Sequence, residues 1–281
     1  MKFLRFGEKG QEKPALLDQD GHIRDLSPIV SDIDGVFLEQ NLTSFIDNLD
    51  ISSLDIVGSN VRIGACINRV GKLICIGLNY SDHAEEVGID APKEPVVFNK
   101  WTSAISGPND NIELPRGASK TDWEVELGIV IGKSGKYISI EDAMEYVAGY
   151  CVVHDVSERV FQLERGGSWD KGKGCDSFGP IGPYFVTRDE IDDPHQLRLW
   201  LEVDGMRYQN GTTANMIFNI PYLIHYLSQF MSLQAGDIIA TGTPAVVGAG
   251  QNPPTFLQEG QVVRLGIDGL GEQSQRVVAA T

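Results

Sequence analysis

The sequence predicts a β-rich α+β fold in which a sheet rolls up, and two observations point there. Apolar runs of strand length outnumber helical patterns along the 281 residues. Late in the chain two turn-and-strand units echo each other, Leu233-Gln234-Ala235-Gly236-Asp237-Ile238-Ile239 and Leu257-Gln258-Glu259-Gly260-Gln261-Val262-Val263. Each is a Gly turn feeding a strand, a pattern that suits a rolled or barrel-like sheet better than a doubly wound one. Two copies fall short of a repeat architecture.

In chain order, residues 1–68 predict short strands at Lys2–Phe6, Ala15–Leu17 and His22–Leu26, broken by Gly, Pro and Asp, and then a helix near Leu42–Leu49. From Lys72 the texture changes to buried-strand runs that end in polar turns carrying His and Asp. The predicted strands are Leu73–Gly77, Val96–Phe98, Trp123–Ile131, Tyr150–Val153 and Ile238–Ala240. Chemistry placed at the strand ends and loops of a rigid sheet is a common enzyme layout. Ser139-Ile140-Glu141-Asp142 reads as a capping box opening a helix through Tyr146, and Pro221–Phe230 is apolar enough for a second, buried helix.

The net charge of −16 argues against nucleic acid or an anionic membrane as partner, since both require a surplus of Lys and Arg on at least one face. Cys66, Cys75, Cys151 and Cys175 show no C-x-x-C spacing, which predicts reduced thiols in a reducing compartment rather than a zinc site or a disulfide framework. Met1 to Glu8 lack an extended apolar signal core, and no stretch approaches the length of a membrane span. The expectation is a cytoplasmic protein.

The chemistry concentrates in a few places. In Asp122-Trp123-Glu124-Val125-Glu126-Leu127-Gly128 the side chains of a strand alternate, so Asp122, Glu124 and Glu126 share one face and Trp123, Val125 and Leu127 the other. Stacked carboxylates on a half-buried strand repel each other, and the repulsion is relieved by proton uptake or by a cation, for which oxygen ligands favour magnesium, manganese or calcium. A solvated polar face on an edge strand is the plain alternative. Asp155, just beyond the apolar run Tyr150–Val153, can complete a three-carboxylate site with Glu124 and Glu126 and leave positions open for water and substrate. Its neighbour His154 points to the opposite face if the strand persists.

Gly77-Leu78-Asn79-Tyr80-Ser81-Asp82-His83-Ala84-Glu85-Glu86 follows a predicted buried strand. On a short helix His83 and Glu86 are neighbours, so the carboxylate can orient the imidazole and raise its basicity, a candidate general-base dyad. The alternative is a solvated or capping histidine. Arg159 and Gln162 lie one helical turn apart, and Lys173 and Lys100 add cations. In so acidic a chain an anionic substrate needs such local charges, although surface salt bridges would use the same residues. Thr241-Gly242-Thr243-Pro244 follows another predicted strand and offers hydroxyls and backbone N–H groups in a turn.

Taken together and in this order, these segments resemble the fumarylacetoacetate hydrolase family. The matching stretches are Ile76 to Tyr80 with His83 and Glu86, Pro95 to Phe98 with Lys100 to Ser103, Asp122 to Gly128, His154 to Arg159 with Gln162, Lys173-Gly174 through Asp176 with Phe178-Gly179-Pro180, and Thr241 to Pro244. They span residues 70 to 250, and the combination is specific where each piece alone is weak. The resemblance implies a mixed β-sandwich roll, with a small N-terminal α+β domain at residues 1–68 and a catalytic domain at 69–281. It also implies a homodimer and a Mg²⁺ or Mn²⁺ ion held by Glu124, Glu126 and Asp155, with His83 and Glu86 on a lid. Lys173, Arg159, Gln162 and Thr243 match positions that contact the substrate or polarise its oxygens, and Lys100 is a further candidate.

The N-terminal run Leu4 to Pro14, Arg24-Asp25-Leu26-Ser27 and the late Gly266 to Gly271 resemble the sugar-acid branch of that family. That branch hydrolyses 2,4-diketo-3-deoxy-L-rhamnonate or L-fuconate to pyruvate and L-lactate. The implied activity is metal-dependent C–C hydrolysis of a small anionic diketo acid, with acylpyruvate hydrolase or oxaloacetate decarboxylase as alternatives and a noncatalytic small-acid binding protein as a reading of another class. One departure is Val246, where many relatives carry Gly, and it bears on the shape of that loop.

Overall fold

The computed structural model describes every residue except Asn41, Ser59, Val87, Ile89 and Thr281. About a third of the chain is strand and a fifth helix, so the fold is β-rich as expected. A mixed nine-stranded sheet forms the main layer. Its strands run side by side in the order Ile23–Asp25, Lys13–Leu17, Lys2–Phe6, Phe185–Thr187, Val147–His154, Val125–Ile131, Ile238–Ala240, Leu73–Gly77 and Val96–Lys100. A five-stranded sheet packs on it, ordered Met206–Thr212, Arg198–Val203, Val262–Ile267, Gly271–Ala279 and Ile112–Leu114.

The two central strands, Val125–Ile131 and Val147–His154, are buried along their whole length. Strand alternation therefore feeds two cores at once. Val125, Leu127, Ile129 and Ile131 pack with Leu199, Leu201 and Leu265 of the five-stranded sheet and with Leu223, Ile224 and Leu227 of helix Ile220–Phe230. Val130, Cys151 and Val153 face the other way, toward Phe3, Leu16, Phe37 and Phe185. Residues 1–68 join this second core, and their strand Lys2–Phe6 pairs antiparallel with Phe185–Thr187. All four cysteines are free and three are buried. No helix among the described residues is long and apolar enough to cross a membrane.

Several strands fall where the periodicity puts them, and two expectations need correction. The helix expected from Ser139 to Tyr146 is only a 3₁₀ turn at Ala143–Tyr146. The Ser139 hydroxyl does pair with Asp142, but the Tyr146 carbonyl accepts from Gly132 N–H and Val147 enters the central strand, so too few residues remain for α-helical turns. The run Trp123–Ile131 is broken. Thr121–Asp122 pairs with Ser157–Glu158, and the continuous strand starts only at Val125. The helix expected near Leu42–Leu49 forms at Leu42–Asn48, preceded by another short helix, Gly35–Gln40. The two echoed Gly turns lead into different layers, Ile238–Ala240 in the large sheet and Val262–Ile267 in the small one.

Candidate active site

Glu124 stands in the gap between the two paired segments, Glu126 is the second residue of the central strand, and Asp155 follows the end of the neighbouring strand. The Asp155 N–H donates to the Glu124 carbonyl at 2.9 Å, which fastens the two segments together at this point. One oxygen from each of Glu124, Glu126 and Asp155 lies within 4.8 Å of the others, and all three residues are buried.

Cations fill most of the surrounding space. Lys173 Nζ donates to Glu124 at 2.6 Å and to Asp155 at 2.7 Å, while Arg159 Nη2 donates to Glu124 at 2.6 Å. Arg159 also bonds Asp122, through Nε at 2.9 Å. Lys100 Nζ donates to Asp155 and to the Val156 carbonyl. Four acids (Asp122, Glu124, Glu126, Asp155) thus meet three cations, and the charge left over falls on Glu126. Among the described residues no cation pairs with Glu126, whose hydrogen bond comes from Gly242 N–H at 2.9 Å. Gly242 holds φ at +96°, a left-handed conformation that aims this N–H at the carboxylate.

Burial, and after it the charges of Asp155 and Glu124, push the Glu126 carboxyl well above its usual range. Burial also works against the charge on Glu124, but Lys173 and Arg159 outweigh it and hold that carboxyl well below the usual range. Burial opposes the Lys173 ammonium too, yet Asp155 and Glu124 raise it overall, so Lys173 stays charged at neutral pH. Three buried carboxylates with an excess negative charge are the donor set of a hard divalent cation. A hard divalent cation fits the oxygens present, and Glu124, Glu126 and Asp155 would hold it.

The dyad lies on helix Ser81–Glu86, with His83 Nδ1 3.0 Å from Glu86 Oε2. The helix follows strand Leu73–Gly77 directly, and Asn79 fixes the junction. Its amide donates to the Thr241 carbonyl at 2.8 Å and its oxygen accepts from Phe218 N–H at 2.8 Å. His83, Glu124, Glu126, Arg159, Gln162, Lys173 and Thr243 all line one cavity of about 260 Å³. The rest of its wall is mainly apolar, with Leu78, Phe98, Leu163, Trp169 and Val247.

The fold and this site are matched by a known family. The Fumarylacetoacetate (FAA) hydrolase C-terminal family matches residues 72–278. The chain belongs to the fumarylacetoacetate hydrolase family. A curated relative from Burkholderia multivorans is 60% identical over 281 residues, covering all of both chains, and carries only a provisional hydrolase name. The solved fumarylacetoacetate hydrolase of Exiguobacterium antarcticum is 35% identical with a TM-score of 0.89, covering 100% of both chains. The 2-hydroxyhepta-2,4-diene-1,7-dioate isomerase of Mycobacterium marinum is 31% identical with a TM-score of 0.75, covering 99% of this chain and 98% of its own. The protein is accordingly a hydrolase or isomerase of this family with a candidate acidic metal site.

Lys100, a candidate substrate contact in the sequence, is 1% exposed and pairs with Asp155, and it is not among the residues that line the cavity. His154 points away as expected. Its Nδ1 lies 3.0 Å from Gln275 Oε1, and burial holds its pKa down to about 3, so it stays neutral. Sequence reasoning gave no role to Gln209, which accepts from Val125 N–H and donates to Thr243 Oγ1, tying the central strand to the Thr241–Pro244 turn. A lone polar residue in a strand carries no signal for that. Val246, the departure from the family pattern, has φ of +77°. A β-branched residue held there costs roughly 1–3 kcal/mol and marks a constrained loop.

Proposed function

We propose that this enzyme is a metal-dependent hydrolase that cleaves the C–C bond of a 2,4-diketo acid, with 2,4-diketo-3-deoxy-L-rhamnonate or L-fuconate as the first candidates. The products are then pyruvate and L-lactate. The observation that carries this reading is that His83 of a His–Glu dyad and two members of a three-carboxylate cluster, Glu124 and Glu126, line the same small cavity. The same reading carries a homodimer in the cytoplasm and the division into residues 1–68 and 69–281.

A Mg²⁺ or Mn²⁺ ion held by Glu124, Glu126 and Asp155 would supply Lewis-acid polarisation of the substrate's oxygens. His83 gives its Nδ1–H to Glu86, so Nε2 is free to take a proton from water, and Glu86 stabilises the imidazolium that results. The hydroxide so formed adds to the C4 carbonyl, the C3–C4 bond breaks with C4 becoming the carboxyl of lactate, and the pyruvate fragment leaves as an enolate that takes at C3 the proton held by the His83 imidazolium. Lys173 stays charged, so its role is to stabilise that negative charge rather than to act as a base. Arg159, Gln162 and Thr243 line the wall on which the substrate is oriented.

A base poised to activate water favours hydrolysis over decarboxylation, which needs none. Incubation of the Mn²⁺-loaded enzyme with 2,4-diketo-3-deoxy sugar acids, acylpyruvates and oxaloacetate, following pyruvate, tests this. The sugar acids are expected to give the highest kcat/KM. Release of CO₂ from oxaloacetate as the fastest reaction would move the assignment to decarboxylation, and no turnover of any of them would favour a binding protein.

A further inference from the structure

The Glu86 carboxylate touches more than His83. Its other oxygen, Oε1, accepts a hydrogen bond from the backbone N–H of Val246 at 2.9 Å, across 160 residues of sequence. Val246 offers that N–H from the left-handed conformation, and its own carbonyl accepts from Trp123 Nε1 at 3.2 Å. The same carboxylate fills the place where a side chain at Gly250 would begin. A Cβ built on Gly250 would stand 2.5 Å from Glu86 Cδ and Oε1, and 2.9 Å from Oε2, with Glu86 atoms as its three nearest neighbours. Between these two points the turn is gripped by Asp122, which accepts from Gly248 N–H at 2.6 Å and from Ala249 N–H at 3.0 Å. Asp122 is also the partner of Arg159, which holds Glu124.

We propose that the turn Val246–Gly250 is the seat that positions the general base. The Val246 N–H and the space left by Gly250 fix Glu86, Glu86 fixes the His83 ring, and Asp122 anchors the seat to the carboxylate end of the cavity. Val246, Gly250 and Asp122 are positioning residues, because they act through Glu86 and do not touch the substrate. This rests on the reading of His83 and Glu86 as the base. It explains why a strained Val246 backbone persists, since relaxing it turns the N–H away from the carboxylate.

The test is a cycle of Gly250→Ala, Glu86→Ala and the double variant, read in two ways in the full-length enzyme. The first readout needs no substrate: the amide ¹H–¹⁵N signal of Val246 should move upfield by the same amount in Gly250→Ala and Glu86→Ala as the carboxylate leaves it. The second is kinetic. Gly250→Ala should lower kcat about tenfold to a hundredfold with KM changed less than about threefold, as for a base displaced by an ångström. In the Glu86→Ala background the same substitution should cost nothing further, because the atoms it meets are gone. If Gly250→Ala fails to fold while the double variant folds, the clash is with Glu86 and the seat stands. Unchanged Val246 signal and kcat in Gly250→Ala, an equal cost in both backgrounds, or failure of both variants to fold would overturn it. If the wild type turns over no diketo acid, the proposed function falls while the amide signal still decides the seat.

Discussion

The two ends of the cavity are built in opposite ways. At the carboxylate end, Glu124, Glu126 and Asp155 stand on or beside two long strands that are buried along their whole length, and three cations brace Glu124 and Asp155. At the base end, His83 and Glu86 ride on a six-residue helix of which only His83 and Ala84 are buried. That helix is too short to be stable alone and is held by a few side-chain bonds, among them Asn215 Nδ2 to Asp82 and Val246 N–H to Glu86. A charge cluster needs a rigid sheet because unpaired buried charge is costly, whereas a base that must admit substrate and water is better carried by an element that few contacts retain.

This contrast is broken most directly by removing one group from each end. Glu126→Ala is expected to lower metal-supported kcat/KM by about a thousandfold or more, with a chelator reproducing the loss reversibly in the wild type. Full activity in that variant would remove the carboxylate site from the mechanism. His83→Ala is expected to lower kcat by ~10²-fold or more while Mn²⁺ affinity and binding of oxalate, measured by calorimetry, stay near wild type. Loss of Mn²⁺ binding in His83→Ala would make the two ends one site and the comparison empty.

A smaller effect sharpens it within the carboxylate end. Lys173→Met should depress kcat by at least about tenfold, because its charge faces the forming enolate. Arg159→Met should chiefly raise KM, and it should also lower Tm, since Asp122 would be left buried without its cation. The reverse ranking in kcat would exchange their roles.

The smallest effect is on stability. In chelator-treated enzyme the Glu126 carboxyl titrates well above its ordinary value of 4.5. Between those two values the folded state holds a proton that the unfolded chain has released, so stability falls as pH rises through the window, by up to ~1.4 kcal/mol per pH unit. That is a change of a few degrees in Tm. Glu126→Gln should flatten this slope, and Mn²⁺ should reverse it for the wild type, because ligation requires the carboxylate. A wild-type slope unchanged by either would show that Glu126 is not where the excess charge resides.

What the sequence determined by itself was local. The two-residue spacing of Glu124 and Glu126 marked them as a pair, helical spacing put His83 beside Glu86, and the apolar run Tyr150–Val153 announced a carboxylate, Asp155, just beyond a strand. Those relations depend on neighbours two to four residues away and survive any packing of the elements. Tertiary structure decided the rest. Register between the two central strands brought the Asp155 N–H onto the Glu124 carbonyl, and the strand Val96–Lys100 delivered Lys100 to Asp155. It also turned Arg159 toward Asp122 and closed the Val246–Gly250 turn over Glu86. No local period encodes these pairings, because each joins elements far apart in the chain and exists only once strand order and register are set.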